Sequence, residues 1–190
     1  MASTAEGCYR DQAGLSIPFG PAPTVTDEWF TWTPPNPVLP DNMDGGSLYA
    51  LAVRYEVGVL GKTVGVRFRV PLSGMGSIPQ PRVRLYSTVG PTLLASKDFS
   101  VAPAAYGTDL NVRFDSPVPC VPSTLDEGYY AVLETNRYVA TTQSSDQWGR
   151  WQGHLYAYNQ NGWIGSVGMP PATVSGNRAN YYVSPIFVAG

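Results

Sequence analysis

Charge is scarce in this chain. Only 14% of its 190 residues are charged, and 12 basic residues against 14 acidic ones give a formal net charge of −2. A nucleic-acid-binding protein presents a basic face to the phosphates, and an anionic membrane surface attracts the same kind of face. The composition therefore argues against nucleic acid and against an anionic membrane as partners.

Long apolar runs and cysteines are also few. No run approaches the roughly 18 apolar residues of a membrane-spanning helix, and the first residues lack the basic and apolar regions of a secretory signal. We expect neither membrane insertion nor export by such a signal. The two cysteines, Cys8 and Cys120, lie far apart without the spacing of a zinc site. They favour free thiols in a protein assembled in the cytoplasm, and a single Cys8 to Cys120 disulfide is the alternative.

Signatures of catalysis are missing as well. His154 is the only histidine, and neither a Gly-x-Ser-x-Gly elbow nor a phosphate-binding glycine motif occurs. The spacing of the acidic residues selects no pair for hydrolysis by two carboxylates. The oxygen-rich stretch 41–45 lacks the spacing and final glutamate of a calcium-binding EF-hand loop. We therefore predict a protein that is not an enzyme, with no cofactor and no metal site.

Alternation of apolar and polar residues is what the sequence has in abundance. Residues 49–57 and 63–70 alternate almost without error and are joined by a glycine-containing turn, which predicts a β-hairpin. We expect one face of this hairpin to cover a core, and its members are Tyr49, Leu51, Val53, Tyr55, Val57, Val64, Val66, Phe68 and Val70. The opposite face carries Arg54, Glu56, Lys62, Arg67 and Arg69.

The same pattern predicts further strands at 82–86, 93–99, 110–114, 128–134 and 180–188. We expect Pro117, Pro119 and Pro122 to break the ladder after 110–114, and Pro185 to place the last strand at an edge or in a bulge. Glycine and proline punctuate the chain throughout and disfavour helices longer than a turn or two. The sequence thus predicts an all-β fold, an antiparallel β-sandwich of jelly-roll or Ig-like type, over residues 46–190.

Residues 1–45 differ from the rest because they are rich in proline and glycine and show little alternation. They predict an extended N-terminal arm. The arm nevertheless carries Phe19, Trp29, Phe30 and Trp32, and leaving these side chains in water would forgo several kcal/mol, at roughly 25 cal/mol per Å². We expect these four aromatic residues to dock on the domain or on a neighbouring subunit.

Aromatic residues and glycines are concentrated together in residues 144–171. The candidate binding residues there are Trp148, Trp151, Tyr156, Tyr158 and Trp163. Two short strands, 151–158 and 163–167, are predicted to pair through a turn at Asn161 and Gly162. One interpretation is that some of these rings are exposed and bind a glycan or a protein partner. The other is that they fill the core and cover a sheet edge, with His154 as a packed side chain among them.

A set of strand segments, taken in order, resembles a known family. The segments are Leu51-Ala52-Val53-Arg54-Tyr55, Gly61-Lys62-Thr63-Val64-Gly65-Val66-Arg67-Phe68, Val83-Arg84-Leu85-Tyr86, Thr92-Leu93-Leu94-Ala95, Val112-Arg113-Phe114, Pro117-Val118, Gly128-Tyr129-Tyr130-Ala131-Val132 and Asn180-Tyr181-Tyr182-Val183. They are similar to a β-sandwich domain of uncharacterised function, found in minor tail proteins of phages that infect actinobacteria and beside carbohydrate-active modules of secreted bacterial proteins. The resemblance covers residues 48–188 and supplies no catalytic residues.

What the resemblance implies is a surface module. We expect a structural protein of a phage virion, either a minor tail protein or a capsid decoration protein, assembled in the host cytoplasm. Its expected partners are other virion proteins, copies of itself and a glycan of the host cell surface. The alternative is a free carbohydrate-binding module.

Overall fold

The computed structural model describes residues 8–10, 16–18, 26–31, 41–43, 47–75, 80–123, 127–142, 151–158, 162–174 and 179–190. Within these ranges the regular structure is β-strand, apart from a single 3₁₀ turn at Pro103–Ala105. None of the helical structure in these ranges could cross a bilayer. The predicted all-β class is confirmed.

The strands, in chain order, are β1 (Cys8–Arg10), β2 (Ser16–Pro18), β3 (Asp27–Glu28), β4 (Asp41–Met43), β5 (Tyr49–Val57), β6 (Gly61–Arg69), β7 (Arg82–Ser87), β8 (Leu93–Asp98), β9 (Asp109–Cys120), β10 (Tyr129–Thr135), β11 (Arg137–Val139), β12 (Thr141–Thr142), β13 (Trp151–Gln152), β14 (Leu155–Ala157), β15 (Trp163–Gly165), β16 (Thr173–Val174), β17 (Ala179–Asn180) and β18 (Val183–Ala189). All pairs are antiparallel. The larger sheet has the order β13, β14, β5, β10, β7, β8, with β15 also on β5 and β16 on β15. The smaller sheet has the order β3, β18, β6, β9.

The core lies between these two sheets. Alternate residues of the larger sheet point into it, among them Leu51, Val53, Tyr55, Val57, Val83, Leu85 and Leu133. The smaller sheet contributes Val66, Phe68, Val112, Phe114, Val183 and Phe187. Two antiparallel sheets that bury their facing sides against each other form a sandwich, as the alternation predicted. The predicted hairpin of 49–57 with 63–70 is wrong: both segments are strands, but β5 belongs to the larger sheet and β6 to the smaller one, so the turn between them carries the chain from one sheet to the other. The second predicted hairpin is present, since β7 pairs with β8.

One core assignment from the sequence is wrong. Val64 was expected to point inward with Val66, but it is only half-buried, whereas Thr63 is completely buried. The register of β6 with both β9 and β18 slips at this point, and a slip by one residue exchanges the two faces of a strand. The bulge therefore places a threonine hydroxyl in the core where alternation alone would place a valine.

Pro117 and Pro119 do not end β9, although the sequence predicted that they would break the ladder after residue 114. This strand continues through Pro117 and Pro119 to Cys120, instead of ending after residue 114. β9 is the edge strand of the smaller sheet, and one of its sides pairs with no other strand. A proline whose missing N–H would point to that unpaired side removes no hydrogen bond from the sheet. Of the two alternatives expected for Pro185, the bulge is found and the edge is not. The register of β18 with β6 shifts just after Pro185, between Ile186 and Phe187. β18 lies between β3 and β6 in its sheet, although β3 does not reach Pro185.

The predicted pairing of 151–158 with 163–167 is also wrong. Gly153 has a φ of +58°, and the chain reverses there, so that β13 pairs with β14. Both β14 and β15 then lie along the same edge of β5, at its two ends, and β15 pairs with β16 instead of β14. Part of the expected turn, including Asn161, lies outside the described residues.

The N-terminal segment contributes short strands of its own. β1 pairs with β2, β4 pairs with β11, and β3 forms the edge of the smaller sheet on β18. Phe30 is buried in the core, and its amide donates to the hydroxyl of Ser184 at 2.8 Å. Trp29 is half-buried beneath the guanidinium of Arg67, 4.7 Å from the ring centroid. Residues 26–31 therefore pack on the chain's own sandwich.

Candidate binding surface

The outer face of the larger sheet collects aromatic side chains at the edge formed by β5, β14 and β15. Residues directly opposite each other in a sheet share a face, so Tyr156 lies beside Glu56 and Trp163 lies beside Ala52. Trp151 is opposite Tyr156 and continues the row. Tyr158 follows on the same side, where its amide donates to the carbonyl of Arg54.

We call this row the aromatic strip: Trp151, Tyr156, Tyr158 and Trp163, together with Arg54. The centroids of Trp151 and Tyr156 are 5.3 Å apart with the rings tilted by 47°, and those of Tyr156 and Tyr158 are 5.8 Å apart at 76°. The guanidinium carbon of Arg54 lies 4.1 Å from the centroid of Tyr158 and 6.0 Å from that of Trp163. The strip is thus one continuous chain of ring and cation contacts.

Trp151 is the member that solvent reaches most, with 50% of its surface exposed. Its ring nevertheless packs against two neighbours. Gly58 approaches it so closely that a Cβ at this glycine would stand 2.9 Å from Cζ3 of the indole, and Tyr156 supports it from the neighbouring strand. A large exposed ring that already packs against the protein loses less conformational entropy when a ligand covers it.

The polar groups beneath the strip are bonded to one another. The hydroxyl of Tyr158 donates to a carboxylate oxygen of Glu56, which is itself buried. Trp163 packs edge-on against Tyr130, with 5.2 Å between the centroids. Burial raises the pKa of Tyr130, and the positive charge of Arg54 offsets part of that rise. The hydroxyl of Tyr130 is therefore neutral at ordinary pH.

Glu134 is a second buried carboxylate on this face. It accepts a hydrogen bond from the amide of Gly168 at 2.7 Å, and Nε of Arg84 lies 3.0 Å away. Glu134 is opposite Ala50, six positions along β5 from Glu56, so about 20 Å separates the two backbones at roughly 3.3 Å per residue. Hydrolysis by paired carboxylates requires about 5 to 10 Å. Glu56 and Glu134 are therefore not placed for that reaction.

The turn between β13 and β14 is held from below by the N-terminal segment. Glu28 accepts from the amide of His154 at 2.8 Å, and its other oxygen lies 2.6 Å from Nδ1 of the same residue. Thr31 donates to Oε1 of Gln152 through both its amide and its hydroxyl. His154 is thus an exposed partner of Glu28, with 45% of its side chain accessible, and not the packed side chain expected from the sequence.

The structure brings Trp151, Tyr156, Tyr158 and Trp163 together, whereas Trp148 lies outside the described residues. The four strip rings follow one edge of the larger sheet, and none belongs to the core between the sheets. Among the arm residues, Trp29 and Phe30 pack on the domain, and Phe19 and Trp32 lie outside the described residues.

Sequence reasoning missed three residues that support the strip: Arg54, Gly58 and Glu28. Arg54 was expected on the outer face, but its stacking on Tyr158 depends on where β14 ends. Gly58 was visible only as a turn residue. The contact of Glu28 with His154 joins positions 126 residues apart, and no local pattern signals it.

In the part of the chain that the structure describes, no three His, Cys, Asp or Glu side chains gather to hold a metal ion. Asp41 and Asn42, weighed in the sequence as oxygen ligands, belong to β4. No protein-family model, curated protein or solved structure matches this chain.

Proposed function

We propose that this chain is a non-enzymatic structural protein of a phage virion, a minor tail protein or a capsid decoration protein, that presents the aromatic strip to bind a host-envelope glycan. The observation that carries the binding role is Trp151, which is half exposed yet packed against Gly58 and Tyr156. Tryptophan faces stack on the apolar faces of sugars because they offer a large, rigid apolar area. An exposed ring that packs against the protein on its other side is suited to that contact.

The virion role is supported by the family resemblance of residues 48–188. In such a particle the partners would be other virion proteins and copies of this chain. Electron microscopy of particles carrying an epitope-tagged chain would test this role, with antibody label expected on the particle surface. Absence of the tagged chain from purified particles would contradict it.

A free carbohydrate-binding module is the second candidate, and one observation favours it. Phe30 completes the core of its own domain, and β3 completes its own sheet, so residues 26–31 have a structural role without a neighbouring subunit. Recovery of the chain in solution, with glycan binding but no association with particles, would decide for this alternative.

Glycan binding is tested most directly by Trp151→Ala. We expect this variant to lose about tenfold or more in affinity for a bound oligosaccharide, which corresponds to about 1.4 kcal/mol. The matched control is Trp29→Ala, which removes a tryptophan from the outer side of the smaller sheet and should leave affinity unchanged. Equal affinity of the wild type and Trp151→Ala would reject the strip as the binding surface.

A further inference from the structure

The orientation of the rings limits what the aromatic strip can bind. Neighbouring rings are tilted by 47° between Trp151 and Tyr156 and by 76° between Tyr156 and Tyr158. A crystalline polysaccharide presents a flat surface, and a protein that binds it must place several ring faces in one plane. These rings do not share a plane. Of the four rings of the strip, Trp151 alone has half of its surface exposed, so the strip offers one broadly accessible ring for a sugar to stack on.

The charges of the strip are balanced. Arg54 and Glu56 are two positions apart on the same face of β5, and both contact Tyr158, the cation over its ring and the carboxylate at its hydroxyl. Farther along the outer face, Arg84 is paired with Glu134. The turn below Trp151 carries the carboxylate of Glu28, which accepts from the amide of His154. Among the described residues of this face, each of these arginines has a carboxylate beside it, so these pairs produce no net field that attracts a polyanion.

We infer that the ligand of the aromatic strip is a neutral, single-chain glycan that stacks one sugar ring on Trp151. Crystalline polysaccharide is excluded by the tilt of the rings, and anionic polymers such as polyuronates or polyol phosphates are disfavoured by the paired charges. This inference rests on the proposed glycan-binding role and narrows its ligand class.

The test compares three kinds of probe with the full chain: a panel of soluble neutral oligosaccharides, the anionic polymers polygalacturonate and poly(glycerol phosphate), and crystalline chitin and cellulose. Affinities are measured at 50 mM and 500 mM NaCl, values chosen to change the screening length several-fold. We expect at least one neutral oligosaccharide to bind, with less than about a twofold change between the two salt concentrations. We expect no depletion of the protein by the crystalline solids.

Two variants tie the result to the strip. Trp151→Phe keeps an aromatic ring and should retain most of the affinity for the neutral oligosaccharide, whereas Trp151→Ala should lose about tenfold or more. Thermal unfolding of both variants identifies any loss of the fold. Because Trp151→Phe keeps an aromatic face and removes the indole N–H, its retained binding separates stacking from hydrogen bonding by that N–H. It also separates stacking from a general disturbance of the β13–β14 hairpin.

The outcomes that overturn the inference differ from those that overturn the proposed function. Binding that depends on Trp151 but favours a polyanion and weakens steeply with salt would overturn the neutral ligand class and leave glycan binding intact. Retention on crystalline chitin or cellulose through Trp151 would overturn the single-chain geometry. Failure of all three probe classes to bind, or binding that Trp151→Ala does not weaken, would overturn the glycan-binding role and the inference together.

Discussion

Gly58 and Trp151 are in such close contact that the position of the ring depends on the absence of a side chain at residue 58. A Cβ there would lie 2.9 Å from Cζ3 and 3.2 Å from Cη2 of the indole. In Gly58→Ala we expect Trp151 to tilt away from its present position, because the outer part of an exposed ring moves more easily than a backbone. The affinity for glycan should fall several-fold, with less than about 1 kcal/mol lost from the free energy of unfolding.

A double-mutant cycle checks that the effect of Gly58 passes through Trp151. In a Trp151→Ala background, Gly58→Ala should have no further effect on glycan affinity, because the ring that it displaces is gone. The same loss of affinity in both backgrounds would show that residue 58 acts on the ligand by another route.

Two adjacent aromatic residues of the arm should differ sharply in their effect on stability. Phe30 is buried in the core, so Phe30→Ala should cost about 3 to 5 kcal/mol in the free energy of unfolding. Trp29 is half-buried against Arg67, so Trp29→Ala should cost about 1 kcal/mol. Urea unfolding measures both. Equal and small effects would mean that residues 26–31 do not hold their place on the sandwich in solution.

The contact of Glu28 with His154 is expected to stabilise the β13–β14 turn. Glu28→Ala removes an acceptor from the amide and from Nδ1 of His154, and should cost about 1 to 2 kcal/mol. Hydrogen exchange at the amide of His154 should become faster. The matched control is Asp27→Ala, which removes a partner of the exposed Arg113 and should cost about 0.5 kcal/mol or less. Unchanged exchange in Glu28→Ala would refute this role.

The buried hydroxyls of Tyr55 and Thr63 satisfy each other inside the core. They lie 2.7 Å apart, and Oγ1 of Thr63 is 3.3 Å from the sulfur of Cys120. Thr63→Val should cost about 1 to 3 kcal/mol because it leaves the hydroxyl of Tyr55 without this partner. Tyr55→Phe in the same chain should recover part of the loss, since it removes the unpaired group. This account would be contradicted if the double variant lost more free energy of unfolding than the two single variants lose in total.

Stability should decrease in alkaline solution. Burial raises the pKa of the Cys120 thiol and raises that of Tyr55 well above its usual value, so the folded state favours the protonated form of both groups. The stabilisation is complete at neutral pH, and it decreases once the pH passes the pKa of each group in the unfolded chain, about 8.5 for cysteine and about 10 for tyrosine.

Urea unfolding between pH 7 and pH 11 would measure this decrease. Cys120→Ala should move its onset from about pH 8.5 towards about pH 10, because the thiol is the first of the two groups to ionise in the unfolded chain. A constant free energy of unfolding up to pH 11 would show that neither group remains protonated in the folded protein at high pH.

The sequence by itself determined the class of fold and the main strands. Alternation with a period of two places residues such as Leu51, Val53 and Tyr55 on one face of a strand, whichever strand lies beside it. Burial of that apolar face then requires a second sheet packed against it. The aromatic candidates Trp151, Tyr156, Tyr158 and Trp163 were also identifiable from their concentration in one segment. These features depend on neighbours in the sequence, and a single sequence reports them well.

Only the tertiary structure decided which residues contact one another over long distances along the chain. The bulge that buries Thr63 instead of Val64 depends on the register of β6 with two strands from elsewhere in the chain. The turn at Gly153 brings Trp151 beside Gly58 and Tyr156. Arg54 reaches Tyr158 because β14 and β15 share one edge of β5. Strand pairing of this kind depends on the free energy of the whole assembled sheet. A local pattern of residues does not report that free energy, because the cross-strand neighbours come from elsewhere in the chain.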